Sequence, residues 1–490
     1  MLFNSLEFGL FLPIVFILYW FVTNNNLKIQ NCFLLGASYF FYGWWDWRFL
    51  SLIILSSFVD YFIGVFLISE NQEKRRKLLL MLSIFVNLGL LGFFKYYNFF
   101  IDSFTDSFTF FGSTINSNRL SIILPVGISF YTFQTLSYTI DVYKKNLAAT
   151  KDIISFFAFV SFFPQLVAGP IERATNLLPQ FFNKRKFDYA KSVDGLRQIL
   201  WGFFKKVVIA DNCAVYVNNI FDNYTTYPSS LLLVGAVFFA FQIYCDFSGY
   251  SDIAIGTARL FGFNLMQNFS FPYFSRDIAE FWRRWHISLS TWFRDYVYIP
   301  LGGSRVSTII KIRNVFIIFI ISGFWHGANL TFIAWGLLHA LYFIPLMLTG
   351  DNRNNTGNIA EDSYLPSLRE FFQILITFSI TVIAWIFFRA DNIIHAVDYI
   401  VRLFTNPFYS GSVLIFNGEA FPLGKDFIIM IFIILLILVE WIQRDRKHGL
   451  SFNSERLVSK ISRRILYFII SISIFVFGNF EKTEFIYFAF

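Results

Sequence analysis

Long apolar runs separated by short polar breaks recur from one end of the chain to the other. Each run is close to the roughly 20 residues that an α-helix needs to cross the hydrocarbon core of a bilayer. The pattern predicts spans near 8–22, 30–46, 48–68, 78–98, 119–140, 197–220, 230–262, 314–330, 331–348, 370–390, 426–442 and 465–482. Two weaker apolar segments, 153–170 and 272–300, are interrupted. "SFFPQLVAGPIER" (161–173) holds two prolines and a glycine, so it cannot form one unbroken helix. Irregular backbone at membrane depth survives only inside protein or beside a water-filled cavity. Two readings stay open for this segment: a kink packed between neighbours, or the lining of a substrate cavity.

The expected fold is therefore an all-α polytopic membrane protein, with roughly 11–13 transmembrane helices plus re-entrant and interfacial ones. We expect a single integral-membrane domain over 1–490, with N-terminal spans in 1–115, a core at about 119–348 and C-terminal spans in 365–490. "MLFNSLEFGLFLPIVFILYW" lacks a basic start and a small-residue cleavage site, and reads as a retained first helix.

Composition sharpens this picture. The 490 residues are 56% hydrophobic and only 15% charged, against about 25% charged in soluble domains. The formal charge of +8 does not indicate nucleic-acid binding, because Lys and Arg sit in short runs between apolar segments. Those runs are Lys74 to Lys77, Lys184 to Lys186, Arg305 to Arg313 and Arg444 to Arg464. If all four face the cytoplasm, alternation puts 102–118, 221–229 and 391–425 outside, with both termini. These loops are poor in Lys and Arg, as the positive-inside rule requires. Cys32, Cys213 and Cys245 show no metal or disulfide spacing, and no metal site is evident.

The polar residues inside apolar segments are the candidates for chemistry. "FWRRWHISLSTWFRDYVYIPLGGSR" (281–305) mixes aromatic residues with Arg283, Arg284, His286, Arg294, Asp295 and Arg305. Headgroup anchoring explains Arg283 and Arg284, but a histidine adds little to anchoring. Of the five histidines, His448 reads as solvated, His395 as a surface residue, and His339 as a satisfied core residue. His286 and His326 differ in company. Each follows a tryptophan, Trp285 or Trp325, and lies near small or polar residues: Ser288 and Ser290, or Gly327 and Asn329. A polar group in mid-membrane costs a few kcal/mol, so it usually faces a cavity and works there. Gln242, Asp246 and Tyr250 share one helix face, and Asp246 needs a partner, expected in an Arg of 283–294. A helix–helix hydrogen-bond patch would account for them equally.

"PVGISFYTFQTLSYTIDVY" (125–143), "FVSFFPQLVAGPIER" (159–173), "FFKKVVIAD" (203–211), "YCDFSGYSDIAIG" (244–256), the 281–305 block and "FWHGANLTFIAWGLLHA" (324–340) occur in that order. Together with the closing "EFIYFAF" (484–490), they resemble the membrane-bound O-acyltransferase (MBOAT) family over essentially the whole chain, and within it the branch that acetylates alginate. The resemblance implies helices around a buried tunnel in a bacterial cytoplasmic membrane. It implies acetyl-CoA as donor substrate, with no permanently bound cofactor, and an exported polysaccharide as acceptor. That acceptor is reached directly or through a periplasmic SGNH-hydrolase-like partner; membrane lipids surround the chain.

By the same resemblance His286 and His326 form the active pair. Imidazole matches the proton that an attacking hydroxyl must lose, so His326 is expected as general base and His286 as donor-orienting or oxyanion-stabilising group. Burial would keep His326 neutral and able to accept a proton. Donor or substrate contacts are expected from Arg283, Arg284, Trp285, Ser288, Arg294, Asp295, Tyr296, Arg305, Trp325, Asn329, Asp246 and Gln242. Other cargoes on the same fold (D-alanyl, peptidoglycan or cellulose acylation) stay open. A polysaccharide or lipid transporter is the rival of a different class, although the paired repeats common in transporters are not visible.

Overall fold

The computed structural model describes residues 1–110, 119–167, 169–361, 363–408, 415–416, 419–420, 425–452, 460–480 and 485–486. Parts of the loops expected outside (102–118 and 391–425), of the basic stretch 444–464 and of the 484–490 motif lie outside the described residues. Helices carry nearly all the regular structure. Among the described residues the one strand pairing joins Ile415–Phe416 to Glu419–Ala420.

Every expected span falls on a helix, with its ends shifted by several residues. The largest shift is at 119, where Ile128–Tyr143 starts late, behind Pro125 and a left-handed Gly127 (φ 76°). Among the described residues, six segments are long and apolar enough to cross a membrane: Leu27–Ser69, Glu73–Thr105, Ser229–Leu260, Thr308–His326, Leu330–Thr349 and Leu368–Arg389. Leu27–Ser69 itself holds two helices, Leu27–Asp46 and Leu50–Ser69. Shorter apolar helices cover Leu6–Val22, Ile153–Leu166 and Phe427–Ile442. The chain is an all-helical, multi-pass membrane protein.

Contacts divide the chain into two compact units, Met1–Gly195 with Ala254–Met266, and Leu196–Ile253 with Gln267–Phe490. In the first, three helices meet at a buried polar node. Ser83, Asn87 and Thr139 all donate to the carboxylate of Asp60, which is fully buried. Asn87 Oδ1 in turn accepts from Ser56 at 2.8 Å and Thr135 at 3.2 Å. Such bonds matter in a membrane interior, where apolar contact alone does not favour one helix partner over another. Two arginines from the basic loops turn inward rather than out. Arg76 donates to the Leu67 and Tyr143 carbonyls, and Arg185 to Gln30 and Asn31. The 161–173 segment breaks as expected, at Phe162 and again after Leu166.

In the second unit, Phe204–Ala210 forms a wider π-helical stretch. A Cβ on Gly202 would sit 2.6 Å from the Gly249 carbonyl, and one on Gly249 would sit 2.8 Å from the Gly202 carbonyl, so glycine lets the backbones meet. This closeness carries Lys205 to Asp252 (2.6 Å) and Lys206 to both Asp211 and Asp246 (2.7 Å each). Thr308–His326 packs against Leu330–Thr349 by the same device. A Cβ on Gly323 or Gly336 would overlap the backbone carbonyl of Phe332 or Phe319.

Replacing Asp60 by Leu strands the Ser83, Asn87 and Thr139 donors. We expect Asp60→Leu to destabilise the protein by about 1–3 kcal/mol, and Asp60→Asn by less. Thermal unfolding in detergent checks this; an unchanged transition in Asp60→Leu would contradict the node.

Candidate active site

The 272–300 segment is interrupted, as its sequence implies. Asp277 caps Ile278–Arg284 by accepting from Glu280 N at 2.7 Å, and that helix stops at Trp285. A second short helix, Ile287–Phe293, begins directly after His286. The junction is His286 itself, whose backbone is left-handed (φ 43°, ψ 54°). A side chain held there costs about 1–3 kcal/mol and persists only when its surroundings over-determine it. Asn268, fully buried, supplies that hold. Its carbonyl accepts Ile287 N at 2.8 Å, its Oδ1 accepts Ser288 Oγ at 2.9 Å, and its Nδ2 donates to Ser251 Oγ at 3.0 Å. Without the left-handed turn, the two helices would run on and carry the imidazole elsewhere.

His326 ends the Thr308–His326 helix, and Asn329 caps the next one by accepting from Thr331 N at 3.0 Å. The tight Gly327–Asn329 turn leaves no room for a side chain at Gly327, where a Cβ would run into the Phe332 ring. The hairpin thus fixes the depth of His326.

The two imidazoles come together. Their ring centroids are 6.5 Å apart, and both side chains are buried, at 0% and 2% exposure. Aromatic rings wall each one. Phe247 meets His286 edge-on at 4.6 Å, and Trp325 lies 6.0 Å from it. Trp325, Trp335 and Phe388 surround His326 at 5.0, 5.1 and 5.3 Å. Trp385 joins the two walls, 5.0 Å from Trp285 and stacked 5.6 Å from Trp335. His339 is buried as expected and accepts from Trp282 Nε1 at 3.3 Å.

A cavity of about 590 Å³ is lined in part by residues four positions from each histidine in sequence. Trp282 and Ser290 lie on the two short helices that flank His286, and Ser322 lies one turn before His326 on its own helix. Arg294, Lys311 and Arg353 line it as well, so three cations share a pocket with the apolar Leu289, Phe293, Ile318 and Phe343 and the polar Ser304, Ser322 and Asn352.

The other candidates divide. Trp285 and Trp325 belong to the aromatic wall, Ser288 to the Asn268 clamp and Asn329 to the hairpin cap. Arg294 lines the cavity and pairs with Asp295 at 2.7 Å. Arg283 instead donates to the Asn352 and Asn355 carbonyls, and Arg284 pairs with buried Glu280 at 2.9 Å. Tyr296 packs on Trp292 at 5.0 Å, and Arg305 is exposed. Gln242 is half-buried, one turn before Asp246.

Three expectations need correction. Asp246 pairs with Lys206, not with an arginine of 283–294, because the π-helical stretch turns Lys206 inward. His448 is buried, since its loop folds back until Gly449 touches the Trp201 ring. His395 is buried too, stacked on Tyr224 at 4.4 Å. Sequence reasoning also missed Asn268, Phe247, Trp335, Trp385, Lys311 and Arg353. A buried polar residue just before the broken segment was the available signal for Asn268.

A multi-pass membrane protein that buries a pair of histidines side by side holds two groups suited to proton transfer. The family model for MBOAT, the membrane-bound O-acyltransferase family, matches residues 41–388. The probable alginate O-acetylase AlgI of Pseudomonas aeruginosa is 42% identical over 397 residues, covering 80% of this chain and 73% of that protein. The peptidoglycan O-acetyltransferase of Helicobacter pylori is 37% identical over 422 residues, with 80% and 78% covered. The teichoic acid D-alanyltransferase of Bacillus subtilis is 29% identical over 232 residues, with 45% and 58% covered. The chain belongs to the membrane-bound O-acyltransferase family, and it is an O-acyltransferase.

Asn268→Leu removes the acceptor of Ser288 N. Amides of 286–290 should then exchange with deuterium faster by roughly tenfold, the factor for one lost buried bond. Exchange at the wild-type rate would show that the left-handed turn stands without the Asn268 side chain.

Proposed function

We propose that this protein transfers an acetyl group from cytoplasmic acetyl-CoA to a hydroxyl of an exported, alginate-like polysaccharide. It does so directly or through a periplasmic SGNH-hydrolase-like partner, from the bacterial inner membrane. One observation carries the reading: two buried imidazoles 6.5 Å apart, on the same elements that contribute residues to a cavity lined by three cations. The acetylase relatives from Pseudomonas aeruginosa and Helicobacter pylori, aligned over 80% of the chain, favour an acetyl cargo.

The chemistry follows from the geometry. A centroid distance of 6.5 Å suits two imidazoles that serve neighbouring oxygens of one reaction, the acceptor hydroxyl at His326 and the thioester carbonyl at His286. The acceptor oxygen attacks the thioester carbonyl carbon while its proton passes to His326. A tetrahedral intermediate forms, and His286 stabilises its oxyanion. The C–S bond then breaks, and the proton taken by His326 ends on the departing thiolate, so no net charge is left inside. Arg294, Lys311 and Arg353 meet the donor's phosphates, for which guanidinium offers paired donors. The aromatic walls keep water from competing with the acceptor hydroxyl.

The experiment is acetyl-CoA turnover by the purified, full-length enzyme with an acceptor oligosaccharide. His326→Ala should lower kcat by about 10²–10⁴-fold, the usual worth of a general base, while the protein stays folded. Wild-type turnover by His326→Ala, with acetylated polymer still made in cells, would sink the assignment.

A further inference from the structure

We propose that Phe485 is a positioning residue for His286, latched in place through Asp246; this rests on the assignment of His286 to the acyl-transfer site. Ile486 N donates to Asp246 Oδ2 at 2.7 Å. The other carboxylate oxygen takes Lys206 Nζ at 2.7 Å, and Lys206 is shared with Asp211. The late segment is thus tied, by a charge-assisted bond, to the one-turn stretch of Ser229–Leu260 that carries Phe247 and Tyr250. Ile486 is 7% exposed and Phe485 fully buried.

The latch delivers a ring to the histidine's wall. Phe485 meets Tyr250 at 4.6 Å and Phe247 at 5.8 Å, both edge-on. Phe247 in turn meets His286 edge-on at 4.6 Å. The line Phe485, Phe247, His286 braces the imidazole through contacts separate from those of the Asn268 clamp. That clamp fixes the backbone of His286, but a ring still turns about its own side-chain bonds. Phe247 limits that turn, and Phe485 limits Phe247. The Lys206–Asp246 pair therefore has a role in the site.

The test uses the full-length protein and two readouts. Diethyl pyrocarbonate modification, mapped by mass spectrometry, reports on each histidine without requiring turnover; steady-state kinetics report on catalysis. Phe485→Ala should raise the modification rate of His286 by about two- to tenfold, the factor for a lost aromatic contact, and leave His326 near its wild-type rate. Its kcat should fall about ten- to a hundredfold with KM for acetyl-CoA little changed, as misplacement of a reacting group would give. Phe480→Ala, at a 55% exposed ring, should change neither. Should Phe485→Ala fail to fold, Phe485→Leu should show the same bias toward His286 with a smaller amplitude. Unchanged His286 reactivity in the folded variant overturns the proposal. Equal increases at His286 and His326 overturn it too, since they mean general loosening. If the wild-type protein consumes no acetyl-CoA, the proposed function fails, and the reactivity of His286 still decides the latch.

Discussion

Desolvation governs this molecule. A bilayer offers no water to an imidazole, a carboxylate or an open backbone group, so each must find its partner inside the chain or cost several kcal/mol. Nearly every unusual feature of the structure answers that demand. The rings of His286 and His326 are enclosed by tryptophan and phenylalanine rather than by lipid. The carboxylate of Asp60 collects three donors from neighbouring helices. Lys205 and Lys206, which would be intolerable facing hydrocarbon, are neutralised by Asp252, Asp211 and Asp246.

Meeting that demand requires close approach, and close approach requires glycine and irregular turns. Gly323 and Gly336 let Thr308–His326 and Leu330–Thr349 touch backbone to backbone, which sets the depth of His326. A left-handed histidine, rare for any side chain with a Cβ, ends one short helix and begins another, which sets the direction of His286. The site is accordingly built from two different kinds of support. One histidine rides on a rigid hairpin of long helices. Its mate sits on a strained turn that hydrogen bonds must hold.

Much of this was legible in the sequence, for reasons that can be stated. Apolar run length located the long spans, since the hydrocarbon thickness fixes the length a span needs, but not the amphipathic helix Ile393–Thr405, which lies where a loop was expected. Prolines gave the breaks of the 161–173 segment. The pairing of His286 with His326 was legible only through resemblance, because a separation of forty positions fixes no distance by itself. The partner of Asp246 was hidden: Lys206 faces it because a π-helical stretch shifts the helix face, and periodicity read at 3.6 residues per turn puts that lysine elsewhere. Arg284 could have been read better, because Glu280 lies one turn before it. His448 was misplaced because loop composition does not show which loops fold back onto the helices, and His395 because an amphipathic stretch does not show that its inner face, with Ala396 and Tyr399, packs onto other helices.

Catalysis by the two imidazoles depends on where the acyl donor lies. A structure of the full-length protein with an unreactive acetyl-CoA analogue, in which a methylene replaces the sulfur, measures that directly. The account places the acetyl carbonyl between the imidazoles of His286 and His326, with the analogue's phosphates against Arg294, Lys311 and Arg353. An acetyl group bound away from both imidazoles, or phosphates held by a different set of cations, would contradict it.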